Sequence, residues 1–409
     1  MPHSPNTYRF FLMTVDPVHV GTGGMRLGRV DNPIVREPGT RVPKIPGTAL
    51  HGAIRAYAAH RYGKPHCTGQ GQKEGRKHCG RPTCPICYTF GYARNQEGGR
   101  SGVVAVGDAR ILLFPVYSMV GPVWVTCPGA LHDAGFYPNS DPNKYFEAET
   151  PAQDQNNEEE PKTAKAKWPD TLSQQDYLNL GWLMVERANN NFGWKPEIIF
   201  KGKVPDQIHN RVVLVSDKLF SQIVNSNLEV RTSVAINPET GAAEEGALFT
   251  YEAIPRATVL WMDVVESDFK GEFPDKNRLT QWEEILQSKD KNKEKTKEDL
   301  LVKWGLLKKN DNLEDKVQQA KKWLQDEQVD QNGEKIWRWE KQEMKNVPQS
   351  PFGIVQAGLE WVEHLGVGGM GTRGFGRIRE ITHCYVKQNT LECNQSNAKS
   401  KNQNNNSGG

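Results

Sequence analysis

No stretch of 18 or more consecutive apolar residues occurs in the 409-residue chain, which excludes a membrane-spanning helix. The N-terminal sequence MPHSPNTYRFFLMTVD has no apolar segment beside a small-residue cleavage site, so a cytoplasmic setting is expected and secretion is not. Apolar residues are scarce, at 36%, for a fully packed protein of this length, which predicts polar insertions or a polar tail. A charge excess is also missing. The net charge is +3, so a polyanion-binding surface would be local, with acids such as Glu158–Glu160 segregated elsewhere. Of seven cysteines, four lie between Cys67 and Cys87, which favours metal binding in a reducing compartment over a disulfide framework. Cys127, Cys384 and Cys393 are isolated and are expected to be buried or incidental. No Lys-Ser/Thr follows a glycine-rich stretch, and no βαβ unit with a downstream acid surrounds one, so neither a P-loop nor a dinucleotide fingerprint is present. Paired acids of the GGDD kind are absent, which argues against polymerase or nucleotide cyclase chemistry.

The length allows two or three domains or one elaborated domain, and no internal repeat is visible. Tyr8–Val20 and Val103–Leu113 alternate like strands, as do Pro122–Thr126, Arg211–Val215 and Thr258–Val265. Pro46-Gly47-Thr48 opens a helix running to about Tyr62, with Thr48 as its cap, and Ser216 caps a short helix over 216–225. Leu228–Ile236 and Ala247–Ile254 flank Asn237-Pro238-Glu239-Thr240-Gly241 as a long hairpin. Residues 139–169 read as a flexible polar loop, and those after about 388 as a disordered tail. Between 275 and 344, Trp and Leu recur at helical spacing among dense charge, which predicts a small helical insertion. Pro351–Leu365 reads as a further helix, and strands alternating with helices predict an α+β fold with helices on one face of a sheet.

Three stretches carry candidate chemistry. In 19–55, a glycine-rich loop leads to the lone acid Asp31, with Arg26, Arg29, Arg36, Arg41, Lys44 and Arg55 around it, an arrangement suited to a phosphate-rich ligand. His19 is a candidate acid/base or phosphate contact. One acid suffices for cleavage if the substrate is RNA, whose 2′-hydroxyl attacks the adjacent phosphate once geometry and a divalent ion are supplied. In 366–376, six glycines in eleven positions let amide groups face phosphate, Arg373 and Arg377 add charge, and Phe375 offers a ring for a base. Finally, Cys67-x11-Cys79-x4-Cys84-x2-Cys87 has the spacing of a structural zinc site. His66 and His78 abut the cysteines and leave a three-Cys, one-His set open. A loop without hydrophobic pattern needs an organiser, and zinc supplies the energy.

The stretches HVGTGG, VDNPIVRE and PKIPGTALHGAIR, with the closing loop GVGGMGTRGFGRI, resemble the RAMP superfamily of CRISPR proteins. GDARILLFPV, WVTCP and the segment 214–255 are similar to the backbone subunit of type III-B (Cmr) effector complexes, and HCGRPTCPICYTFG resembles the zinc element of the type III-A/D backbone subunit. The resemblance implies a modified RNA-recognition (ferredoxin-like) palm over 1–265, carrying a zinc loop at 66–88 and a thumb hairpin at 224–250. It also implies a helical insertion at 266–346, palm completion at 347–387 and a tail at 388–409. It implies that copies stack along a guide crRNA and that paired target RNA is cut at regular intervals, with Asp31 catalytic and Mg or Mn assisting. Guide contacts would come from His19, Arg26, Arg29, Lys44, Thr48, His51, Arg55, Gly368, Gly369, Gly371 and Arg373. Zinc would be held by Cys67, Cys79, Cys84 and Cys87. The implied partners are further backbone copies, a large polymerase/cyclase-like subunit and a small helical subunit. The alternatives are a non-cleaving guide scaffold and a repeat-processing ribonuclease acting through His19 or His51.

Overall fold

The computed structural model describes residues 4–23, 30–69, 78–93, 99–136, 164–172, 174–188, 200, 203–290, 293–308, 311–328, 349–387 and 390–393. Arg26 and Arg29 lie outside them, as do most of the 139–169 loop, the end of the insertion and the chain after 393. The chain forms two compact units, each assembled from separated stretches: 1–6, 47–106 and 264–366 in one, 7–46, 107–263 and 367–409 in the other. This division interleaves the segments that the sequence ordered linearly.

The main sheet contains β1 (Asn6–Thr14), β2 (Lys44–Ile45), β5 (Val104–Val106), β6 (Ala109–Val116), β7 (Val123–Thr126), β11 (Val212–Leu214), β14 (Val259–Glu266), β15 (Ile378–Lys387) and β16 (Thr390–Cys393). Its order is β11-β7-β6-β14-β1-β15-β16, with β2 paired to β6 and β5 to β14. Helix α1 (Gly47–Arg61) lies between β1 and β6 in the chain, and a second long helix, Pro351–Leu365, between β14 and β15. The sequence β-α-β-β-α-β with sheet order β6-β14-β1-β15 is the ferredoxin-like arrangement. β1 and β15 are antiparallel, from Thr7↔Val386 to Thr14↔Ile378. Phe11, Leu112, Leu113, Phe200, Leu214 and Val259 are buried together in the second unit.

Several elements differ from the sequence reading. The strand expected over Val103–Leu113 is broken at Gly107, whose N–H donates to the Asp263 carbonyl at 2.8 Å. A Cβ there would stand 3.1 Å from the same oxygen, a tight contact that the smallest residue avoids. Helix α1 starts at Gly47, which places Thr48 inside its first turn rather than at the cap. The end of the loop expected at 139–169 is structured: β8 (Ala164–Ala166) pairs with β10 (Leu183–Arg187), itself beside β9 (Tyr177–Leu180). Trp168, 1% exposed, anchors that stretch and donates its indole N–H to the Leu172 carbonyl. Thr390–Cys393, expected to belong to a disordered tail, instead pairs with β15, and a Cys384–Cys393 disulfide joins the two strands. Those cysteines are therefore partners and not incidental; facing positions in paired strands, nine residues apart, were not visible as such in the sequence.

In the first unit, the cysteine loop ends in α2 (Pro85–Phe90), which carries Cys87 and leads into the strand pair β3 (Gly91–Tyr92) and β4 (Arg100–Ser101). The insertion folds as the helices Lys276–Gln287, Glu294–Lys303 and Leu313–Gln328. Their apolar stripe packs on itself through Leu279, Trp282, Leu301, Ala320 and Leu324, with Trp304 against Trp282 at 5.1 Å between ring centres. Helix Pro351–Leu365 is capped by Ser350, whose hydroxyl accepts from the Gly353 N–H. It meets α1 closely at Gly358, where a Cβ would come within 2.2 Å of the Ile54 carbonyl.

Candidate functional site

Asp31 sits in the second unit on the short segment after the glycine-rich loop. This segment runs along one edge of β13 (Ala243–Ala253), whose other edge pairs with β12 (Glu229–Ile236) to make the long hairpin. Asn32 docks by backbone alone: its N–H donates to the Thr250 carbonyl at 3.0 Å and its carbonyl accepts from Glu252 at 3.1 Å. Asp31 Oδ2 accepts from both the N–H of Thr250, at 2.7 Å, and its hydroxyl, at 2.9 Å. The Asp31 N–H returns a bond to the same hydroxyl oxygen at 3.1 Å. The Thr250 amide and hydroxyl together hold this exposed carboxyl below the usual carboxylate range, so it is ionised at neutral pH.

A second network braces the same segment. The Arg36 guanidinium donates to Glu252 at 2.8 Å, to Asn225 at 2.9 Å and to the Ile34 carbonyl at 2.9 Å. Glu252, 8% exposed, also accepts from the Ile34 N–H, so its buried charge is paired and hydrogen-bonded. Thus Arg36, one of the basic residues read as facing phosphate, spends its fork on the fold. His19 is buried too: its Nδ1–H donates to the Glu252 carbonyl at 2.6 Å, which fixes the tautomer. That placement disfavours His19 as an acid/base. Lys44 is ion-paired with Asp108 at 2.6 Å.

The closing glycine-rich loop lies in the same unit as the hairpin. Its N–H groups at Val367, Gly369, Arg373, Gly374 and Gly376 are used within the protein, that of Gly369 on the His19 carbonyl at 2.9 Å. Gly368 has φ +88 and a Cβ there would clash with the His19 carbonyl at 2.3 Å, so this position requires glycine. Phe375, expected to offer its ring to a base, is instead 2% exposed and packs on Tyr251 at 5.4 Å, with the Arg231 guanidinium 4.7 Å from its ring centre. Arg377 pairs with Asp16. Arg373 stays exposed, reaches the Ser233 hydroxyl at 3.3 Å and lies over Phe249. One face of the hairpin thus carries Arg231, Ser233, Phe249 and Tyr251, and the opposite face carries Thr232, Val234, Leu248 and Thr250.

In the first unit, the Sγ atoms of Cys67, Cys79, Cys84 and Cys87 lie within 4.8 Å of one another and could hold a metal ion. Cys87 Sγ is 3.7 Å from both Cys67 Sγ and Cys79 Sγ, against the roughly 3.8 Å between sulfurs that tetrahedral Zn–S bonds of about 2.3 Å require. Neither His66 nor His78 belongs to the set; His78 Nδ1 accepts from Arg55 at 2.8 Å. Arg55, 7% exposed, further donates to the Cys67 carbonyl at 2.9 Å and the Phe90 carbonyl at 3.4 Å. Burial holds its pKa below the ordinary value, against the smaller raising influence of the four neighbouring cysteines. On the same helix Thr48 is exposed, and His51 packs edge-on against Phe90 at 5.1 Å.

The family model of the RAMP superfamily matches residues 11–379. The chain belongs to the RAMP superfamily. Among curated RAMP relatives, the CRISPR system Cmr endoribonuclease Cmr4 of Pyrococcus furiosus is 28% identical over 259 residues, 62% of this chain and 79% of that protein. The CRISPR system Cms endoribonuclease Csm3 of Mycobacterium tuberculosis is 44% identical over 46 residues, 11% of this chain and 20% of that protein. A chain in the type III-B Cmr-beta complex bound to cognate target RNA is similar at 16% identity and a TM-score of 0.44, over 64% of this chain and 84% of that one. Oligomeric Cmr4 from Pyrococcus furiosus is similar at 21% identity and a TM-score of 0.41, over 69% of this chain and 88% of that one. Sequence reasoning on this RAMP chain missed Thr250, Glu252 and the structural use of Arg36. Thr250 lies 219 positions from Asp31, and no local pattern signals such a contact.

Proposed function

We propose that this chain is the backbone subunit of a type III-B CRISPR effector complex, binding guide crRNA and cutting the paired target RNA through Asp31. The observation that carries this reading is the ionised, exposed Asp31 carboxylate fixed at the base of a long hairpin, in a RAMP chain related to a Cmr endoribonuclease. The hairpin is the thumb in this reading: its length suits distorting a regular A-form duplex, which otherwise keeps the 2′-oxygen out of line with its phosphate. Asp31 then orients or deprotonates the attacking hydroxyl. Mg or Mn would supply charge neutralisation at the phosphate when bound. Among the described residues no cluster of three or more His, Cys, Asp or Glu side chains includes Asp31, so in this reading a hard cation held by its one carboxylate would take its other ligands from RNA and water.

Guide contacts are assigned to the exposed Thr48 and Arg373, with Gly371 beside Arg373, to the half-buried His51, and to Arg26 and Arg29, which lie outside the described residues. Lys44, Arg55, His19, Gly368 and Gly369 then act chiefly by shaping the surfaces around them. The four cysteines hold structural zinc, since a complete thiolate set leaves no position for water. Further copies of the chain, a large and a small subunit of the complex, and a cytoplasmic setting complete the reading. The test is to assemble the chain with guide RNA and its partner subunits, add divalent metal and labelled complementary RNA, and map the products. Cuts at a constant interval are expected; intact target would leave a guide-binding scaffold.

A further inference from the structure

We propose that Thr250 is the positioning residue of this site: its hydroxyl fixes the Asp31 carboxylate by binding Oδ2, and so presents Oδ1 to the RNA. The inference deepens the cleavage reading and rests on it. An exposed aspartate ordinarily samples several rotamers, and among the described residues no ion pair restrains this one. Its restraint comes from a single residue through three hydrogen bonds. The hydroxyl has one proton, and the geometry assigns it: the Asp31 N–H at 3.1 Å occupies a lone pair, and the proton points to Oδ2 at 2.9 Å. Threonine suits the task because its β-branched χ1 is stiff and sits on a strand.

A merely structural role explains the arrangement poorly. The segment is already docked by the two Asn32 backbone bonds and by Arg36 with Glu252. Removing the hydroxyl therefore leaves the loop attached and the Thr250 N–H still bound to Oδ2 at 2.7 Å, and what it takes away is the second bond, without which the carboxylate can swing about the first. In-line attack tolerates little error in the carboxylate's direction; displacements of about 1 Å cost on the order of 100-fold in rate. The neighbouring positions on the same hairpin face, Thr232, Val234 and Leu248, offer no alternative partner for a carboxylate except the Thr232 hydroxyl across the strand pair.

The test compares Thr250→Val, Thr250→Ser and Asp31→Asn in the assembled guide complex, reading single-turnover target cutting and target affinity separately. Thr250→Val is expected to slow cutting roughly 10- to 100-fold with affinity unchanged, and Thr250→Ser to restore most of the rate. Wild-type cutting by Thr250→Val, or a Thr250→Ser complex as slow as the valine variant, overturns the inference while a dead Asp31→Asn complex leaves the cleavage reading standing. Wild-type cutting by Asp31→Asn overturns both.

Discussion

Phe375 shows how a single residue changes meaning when its neighbours are known. An aromatic ring in a glycine-rich, basic loop suits base stacking, yet here the ring is the buried centre of a small cluster with Tyr251, Ala253, Phe249 and Met370. Phe375→Ala is expected to cost about 3–5 kcal/mol of stability, measurable by chemical denaturation; a change under about 1 kcal/mol would mean the ring is not packed there. His51 gives a second residue-level prediction. Burial, then the Arg55 charge one turn on, lowers its pKa below the ordinary 6.5, so the ring is neutral at pH 7. Because the folded state binds this proton more weakly than the unfolded chain, the stabilisation is complete above 6.5 and is lost as pH falls through the lowered value. Between about pH 7 and pH 5 the denaturation midpoint should fall, and His51→Gln should reduce that slope.

At the scale of elements, the cysteine loop and the hairpin were legible for different reasons. The spacing of Cys67, Cys79, Cys84 and Cys87 and the Asn237–Gly241 turn are local signals, and each names its element without reference to the rest of the chain. Asn237 confirms its part in detail, its side-chain oxygen accepting from the N–H groups of Glu239 and Thr240. What joins elements was not legible. Arg36, Lys44 and Arg55 all read as phosphate contacts because a sequence shows charge and hides the partner, and their partners Glu252, Asp108 and the cysteine loop lie far along the chain or carry no charge in isolation. The cysteine loop yields its own expectations. Purified protein should carry one zinc per chain by metal analysis, and Cys84→Ser should lower both metal content and melting temperature. Arg55→Met leaves the Cys67 and Phe90 carbonyls without their donor and is expected to cost about 1–3 kcal/mol. Arg55→Met protein as stable as the wild type would show that water replaces the guanidinium.

For the whole molecule, the ferredoxin-like strand order and the superfamily match concern the same chain from two sides: one gives the frame, the other the lineage. The long hairpin and Asp31 belong to one unit and are joined by hydrogen bonds, so the proposed cleavage group is tied directly to the element proposed to distort the duplex. If copies stack along a guide as proposed, that coupling predicts a single cut per subunit at a fixed distance from each hairpin. The most direct measurement is single-turnover cleavage of a labelled complementary RNA by the complete guide complex carrying Asp31→Ala. The account predicts that guide binding, target binding and assembly persist while every regularly spaced product disappears. The same ladder of products, formed at the wild-type rate, would contradict it.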